Sequence, residues 1–237
     1  MQAHRLKQML QQAMSAHSKS GQGNNPLRNV ALMRIRLGVF QLNIADGFRL
    51  CRTQETDIDQ GDESPFGVEM EAMHQIVQAH SEGYVTVMPH EDCVEFTFDD
   101  GVEYKFPRWD KQIASNTLNY IADMEPHINT RWAEIDVKQL RKLFVGWSQD
   151  EACYMHMNGN LQIKRMRDVV HEQPCDFGAD TFVEVNPRYV AAALKSLGKV
   201  GYLGLHPNRI CIADSKNELP SYMHIIMTMR GRNDATM

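Results

Sequence analysis

Apolar residues recur with a helical period at four places in the chain, and alternating runs that read as paired strands follow each one. The clearest case begins at Phe182, Val183 and Val185, a short β run. Val190, Ala193, Leu194 and Leu197 then fall at i, i+3, i+4 and i+7, one apolar stripe. Asn186 is suited to cap this helix. Pro187 suits its first turn, where a missing N–H leaves nothing unsatisfied. Arg188, Lys195 and Lys199 share the opposite stripe at about 100° per residue.

The same layout stands 50 residues earlier. Glu134-Ile135-Asp136-Val137-Lys138 aligns with Glu184-Val185-Asn186-Pro187-Arg188, so Asp136 takes the capping position of Asn186. Leu140, Leu143, Phe144 and Trp147 repeat the apolar stripe, and Lys138, Arg141 and Lys142 repeat the basic front. A hairpin signal follows each helix: Cys153–Met157 and residues 161–166 around Asn158-Gly159, then residues 200–205 and 210–213 around Pro207-Asn208. Residues 130–230 therefore read as a strand–helix–strand–strand unit used twice, which fits one pseudo-symmetric domain better than a solenoid of many repeats.

The first half of the chain uses the same grammar. Leu6, Met9, Leu10, Ala13 and His17 place an amphipathic helix over residues 3–18, with a polar, barely charged face of His4, Gln8, Gln11 and Gln12. Residues 18–26 are a loop by composition. Ala31, Met33, Ile35 and Leu37 alternate with Arg34 and Arg36 in a strand that Gly38 breaks. Phe40, Leu42 and Ile44 form a second strand, Asp46-Gly47 a turn, and Phe48, Leu50 and Arg52 a third extended run. Residues 54–65, acidic and polar, read as a loop. After a short strand at 68–70, Met70, Met73, Ile76, Val77 and His80 share one face of a helix whose other face carries Glu71, Gln75 and Gln78 and no basic residue. Residues 84–88 and Cys93–Phe98 read as a hairpin, and Asp100-Gly101 turns the chain into Val102, Tyr104 and Phe106. Residues 106–126 read as a bridge between domains, and residues 231–237 as a frayed end.

At 237 residues with 43% hydrophobic content, the chain can hold two domains with real cores. No apolar run approaches the ~20 residues of a membrane span, and the start Met1-Gln2-Ala3-His4-Arg5 lacks a signal-peptide core. Five scattered cysteines without a CxxC indicate neither a zinc site nor a disulfide framework, and point to a reduced, cytoplasmic setting. The net charge is −5, which sets the two basic helix fronts apart. Charged residues occupy the wet side of any amphipathic helix, so one such front means little. Two of the same polarity with almost no acid suit a partner with a diffuse negative charge, as the DNA backbone has.

The stretch Val185-Asn186-Pro187-Arg188-Tyr189-Val190, then Ile210-Cys211-Ile212-Ala213-Asp214, then Tyr222 through Met227-Thr228-Met229-Arg230, resembles the final domain of the bacterial DNA polymerase III beta subunit family, the sliding clamps. That family commonly ends in Met-Pro-Met-Arg. Ile44-Ala45-Asp46-Gly47-Phe48-Arg49-Leu50 is similar to the Ala-Thr-Asp-Gly-His-Arg-Leu segment of the family's middle domain, and Phe106-Pro107 with Trp109 resembles its Phe-Pro-Asp-Tyr linker. The resemblance runs in order along nearly the whole chain. It departs at the strand before the opening helix, which is missing or very short, and at Thr228, which stands for a proline. Phe48 stands where the family usually has His.

The resemblance implies an α+β DNA clamp fold in two pseudo-symmetric domains, residues 1–122 and 123–237, each with two helices on antiparallel sheets. It implies a DNA-facing surface of Lys138, Arg141, Lys142, Arg188, Lys195 and Lys199, with a weaker share from Arg5 and Lys7. It further implies a groove for linear peptides, with Ala45, Gly47, Phe48, Arg49 and Leu50 as one wall, Pro107 at the junction, and Ile225, Met227, Thr228, Met229 and Arg230 as the other. Family clamps have three domains per chain and close a ring from two chains. Two domains imply a homotrimer. The implied partners are duplex DNA bound without regard to sequence, a DNA polymerase and other carriers of clamp-binding peptides, and a clamp loader, with no membrane and no cofactor. The alternative is a clamp-like interaction module, or mimic of a host clamp, that binds partners without encircling DNA. Glu69 with Glu71, or Asp99 with Asp100, are acid pairs of a kind more often solvated than metal-binding. No phosphate-binding glycine loop, nucleophile elbow or HExxH segment is present, so neither catalysis nor a metal site is expected.

Overall fold

The structure is a computed structural model that describes residues 1–16, 29–61, 63–80, 82–123, 132–148, 151–175, 180–216 and 220–229. His17, the loop expected over 18–26, Arg230 and the end at 231–237 lie outside the described residues. The chain divides into two compact units, Met1–Glu125 and Pro126–Met237.

In the first unit, α1 (Ala3–Ala13) buries Leu6, Met9, Leu10 and Ala13 of the predicted apolar stripe, and Ala3 besides. It packs on β2 (Val39–Ala45) and β3 (Arg49–Glu55), where the Thr53 hydroxyl donates to the Met9 carbonyl at 3.3 Å. With β1 (Val30–Arg36) and β4 (Glu63–Glu69) these strands pair antiparallel in the order β4-β1-β2-β3. The loop expected over 54–65 is shorter than its composition suggested. Strand β3 runs on through Gln54, buried and bonded to Gln41 at 3.1 Å, and β4 starts at Glu63 with a register shift opposite Met33 and Ile35. Helix α2 (Met70–Ala79) follows, then the sheet β5 (Val85–Pro89), β6 (Cys93–Phe98) and β7 (Glu103–Pro107), in that order. The strand expected to be missing or very short before α1 is a single bridge between Gln2 and Tyr84, with the Met1 amino group donating to the Val85 carbonyl at 2.9 Å.

A third helix in this unit, α3 (Lys111–Asp123), occupies the segment expected as a bridge. The Asp110 carboxylate accepts the Ile113 N–H at 2.9 Å, a helix-start bond. Ala114 and Leu118, four apart, are buried as the helix packs on β4. Trp109 donates to the Gly67 carbonyl at 2.8 Å, and a Cβ at Gly67 would stand 3.2 Å from the Trp109 Cβ, so the glycine admits the close approach.

The second unit is the doubled motif. It runs β8 (Trp132–Asp136), α4 (Val137–Leu143), β9 (Cys153–Met157), β10 (Asn160–Arg165), β11 (Asp168–Pro174), then β12 (Thr181–Val185), α5 (Pro187–Lys195), β13 (Val200–His206), β14 (Arg209–Ala213) and β15 (Tyr222–Met227). Each copy hands its first strand to the sheet of the other. β12 joins β9, with Val185 opposite Cys153, and β8 joins β13, with Ile135 opposite Gly201. This exchange makes one core from two copies, in sheets ordered β11-β10-β9-β12 and β15-β14-β13-β8. Strand β11 extends the expected hairpin. His171 is its one buried residue, so it shows no clean alternation in the sequence.

Candidate nucleic-acid interface and peptide groove

Both predicted helix caps are made. The Asp136 carboxylate accepts the Gln139 N–H at 2.9 Å, and the Asn186 side chain accepts the Arg188 N–H at 3.0 Å. The two helices pack together with their apolar backs inward, Val137 and Leu140 on one, Val190, Ala193 and Leu194 on the other. Lys138, Arg141, Lys142, Arg188, Lys195 and Lys199 are all exposed. Neither helix contains an acidic residue.

Arg141 differs from the rest of this set. Its Nε donates to the Leu194 carbonyl at 2.9 Å, and its Nη2 donates to the carbonyls of Lys195 at 3.0 Å and Leu197 at 2.6 Å. These carbonyls lie at and just past the C-terminal end of α5, where main-chain acceptors run short of helix donors, although Leu194 also accepts the Leu197 N–H at 3.3 Å. A cation there meets the negative end of the helix dipole. One turn earlier on α4, the Val137 N–H donates to the Lys199 carbonyl at 3.1 Å. The end of α5 is thus fastened along α4 at two points. Lys138 and Lys142 are held beside Lys195 and Lys199.

The corresponding helix pair of the first unit is nearly neutral. Arg5 Nε donates to Glu55 Oε2 at 2.8 Å, an ion pair, and its Nη1 bonds the Gln8 side chain. Lys7 is half-buried, and His4, Gln8 and Gln11 are the exposed residues around it. On α2 the exposed residues include Glu71 and Gln75.

The first expected groove wall is the β2–β3 turn. Gly47 takes φ +91°, which glycine tolerates. Asp46 organises the turn: its Oδ1 accepts the N–H groups of Phe48 and Arg49 at 3.0 and 3.1 Å, and its Oδ2 meets Arg49 Nε at 2.9 Å. Arg49 is therefore buried and paired, and Leu50 is 3% exposed, a core residue. Phe48, 55% exposed, is the apolar side chain this turn presents. Pro107 is not in this sheet. It ends β7 opposite Cys93.

The second expected wall is β15 and its continuation. Ile225 is buried. Met227 lies opposite Arg209 on β14, and Met229 is 47% exposed. Thr228 donates its N–H to the Asn208 carbonyl at 3.1 Å, and Met229 donates to the Glu184 carbonyl at 2.9 Å. A proline at 228 could not make the first of these bonds. In the sequence Asp46 and Asn208 stood only as turn signals, with no part in either groove wall. The pairs Asp46-Gly47 and Pro207-Asn208 marked the turns, but nothing local showed that the Asn208 carbonyl would hold Thr228.

Among the described residues, no group of three or more His, Cys, Asp or Glu could hold a metal ion, and no helix is long and apolar enough to cross a membrane.

No protein-family model matches the sequence, and no curated protein does either. Solved structures do match in fold. A sliding clamp from Pseudomonas aeruginosa covers 98% of this chain at a TM-score of 0.76 with 16% identity, over 66% of its own length. The DNA polymerase III beta subunit of Thermotoga maritima covers 98% at 0.77 with 18% identity, over 65% of its length. The Bacillus subtilis clamp covers 98% at 0.75 with 14% identity, over 63% of its length. The chain has the sliding-clamp fold and spans about 65% of the length of the solved clamps it matches.

Proposed function

We propose that this chain is a subunit of a ring that encircles duplex DNA and keeps polymerases and other DNA enzymes on it through short peptides bound at the groove. The observation that carries this reading is the clamp fold over 98% of the chain, with an acid-free, cation-bearing pair of helices, α4 and α5, in one of its units. DNA held without base readout needs a diffuse positive lining and no sequence-reading side chains. Lys138, Lys142, Arg188, Lys195 and Lys199 supply that lining. The chain works by tethering and has no catalytic step.

On this reading residues 1–122 and 123–237 correspond to the middle and last domains of a clamp. Because the chain spans about 65% of the solved clamps, closing a ring takes three copies joined head to tail, each contributing two different surfaces. Edge strands supply such surfaces, since pairing them also hides exposed main-chain groups. β7 and β11 each end a sheet. A clamp loader opens the ring, and carriers of clamp-binding peptides occupy the groove.

The nearly neutral helix pair of the first unit favours a second reading, a clamp-like module or mimic of a host clamp that docks on partners without encircling DNA. Retention on nicked circular DNA during gel filtration separates the two. Encirclement predicts a complex that survives moderate salt on the circle and is lost when the circle is cut. Equal retention on circular and linear DNA favours the docking module.

A further inference from the structure

We infer that, of the two helix pairs, it is the second unit's that contacts phosphate, that Arg141 serves this pair as a positioning residue, and that the helix pair of the first unit offers DNA a neutral face. This rests on the clamp reading above. The second-unit pair α4 and α5 carries five cations and no acid. Four of the lysines proposed to face DNA are gathered where α5 ends against α4. What gathers them is main chain: the Val137 N–H on the Lys199 carbonyl, and Arg141 on the carbonyls of Leu194, Lys195 and Leu197. The planar guanidinium fork reaches three carbonyls at once, which the single ammonium of a lysine does not reproduce. Arg141 thereby holds the lysines at fixed spacing while its Nε and Nη2 donors are engaged by main-chain carbonyls.

The first-unit pair is different in kind. Helices α1 and α2 together carry Arg5, Lys7 and Glu71. Arg5 is already compensated by Glu55, which leaves one charge of each sign among exposed amides and His4. Such a face can pass close to a polyanion and hydrogen-bond to it, but it releases no counterions.

The salt dependence of binding tests this, because its slope counts phosphate contacts at ~0.9 each. The full chain is titrated onto a short fluorescein-labelled duplex by anisotropy, at about pH 8, where unperturbed histidine is neutral, and over a series of salt concentrations. Lys138→Gln with Lys142→Gln should make the slope shallower by ~0.9 per lysine. Arg5→Gln with Lys7→Gln should leave it unchanged. Arg141→Gln should weaken binding several-fold at every salt concentration with the slope preserved. Arg141→Lys, which keeps the charge and loses the fork, should behave the same way. Melting curves confirm that each variant is folded, and the first-unit variants decide the assignment independently of Arg141. The inference is overturned if the first-unit variants flatten the slope as much as the lysine pair does. It is also overturned if Arg141→Gln flattens the slope by ~0.9 and Arg141→Lys restores binding. Absence of any salt-dependent binding by the parent chain overturns the clamp reading along with it.

Discussion

Asp46 and Arg49 form a buried ion pair, Nε to Oδ2 at 2.9 Å, inside a turn whose exposed corner is Phe48. The same carboxylate holds the N–H groups of residues 48 and 49. Its removal therefore strips the turn of these side-chain hydrogen bonds, leaving the Asp46 N–H on the Arg49 carbonyl, and takes a counter-charge from a buried guanidinium. Breaking a buried pair from one side costs about 3–5 kcal/mol. Asp46→Ala should lose stability on that scale in urea unfolding, whereas Phe48→Ala should stay within about 0.5 kcal/mol of the parent. A loss under about 1 kcal/mol for Asp46→Ala would show that the pair does not organise the turn.

Glu151 gives a pH-dependent prediction. Its carboxylate accepts the Ser148 N–H at 2.6 Å and the Arg165 Nε at 2.7 Å. First the Ser148 N–H and then the Arg165 guanidinium hold its carboxyl below the usual glutamate range. A group with a depressed folded pKa adds stability above its unfolded pKa and loses it as pH falls through the folded one. Glu151→Gln should therefore melt below the parent at neutral pH, and the two curves should converge in acid as the parent carboxyl protonates. A melting difference that persists unchanged in acid would mean that shape, and not charge, is what the residue supplies.

What could be read from the sequence was local. The caps Asp136 and Asn186, the stripe from Val190 to Leu197 and the 50-residue repeat depend on neighbours a few positions away, and the structure realises each. What could not be read depends on distant partners or on edges. The sequence spacing marks Arg141 as one more cation on a basic front, and its carbonyl partners lie 53, 54 and 56 residues on. Arg5 meets Glu55 across 50 residues. Strand β11 buries only His171, so an edge strand left no alternation to find. Helix α3 buries Ala114 and Leu118, and Ile121 continues their spacing in the sequence, so this stripe was legible and was passed over for the linker signal of Phe106-Pro107. At the groove, the motif Asp46-Gly47-Phe48-Arg49-Leu50 was visible, but strand register and the ion pair decide which of its side chains face out.

That distinction changes how the groove should be probed. Leu50 is buried, so Leu50→Ala should cost about 2–5 kcal/mol of stability and would confuse folding with binding. Phe48, Met227 and Met229 are the side chains to truncate. If the proposed groove forms, thioethers and an exposed ring suit varied apolar anchors there. A fluorescent peptide of the Gln-x-x-Leu-Phe type should lose about tenfold in affinity, some 1.4 kcal/mol, on Met227→Ala or Phe48→Ala, with the melting temperature little changed. Thr228→Pro should also weaken the peptide, because it removes the N–H that ties this segment to Asn208. Undiminished binding in Phe48→Ala together with Met227→Ala would place the partner site elsewhere.

The ring itself makes the last prediction. Strand β11 lies at the edge of its sheet with Val169 and Val170 exposed, and β7 ends the other unit's three-stranded sheet with Tyr104 stacked on Phe106, centroids 6.2 Å apart, both half-buried. Exposed apolar edge strands invite another strand, and natural proteins that avoid such pairing place lysine there; β11 has no lysine, whereas β7 carries Lys105 between its two aromatic rings. If copies close head to tail through these edges, the parent chain should sediment at about three times its 27.2 kDa mass. Val169→Lys with Val170→Lys should then give a folded monomer, since both side chains are already solvated in the single chain and their replacement touches no core. A parent that stays monomeric or dimeric at micromolar concentration counts against the trimer. A trimeric parent whose lysine variant is still trimeric keeps the ring and moves its joint away from β11.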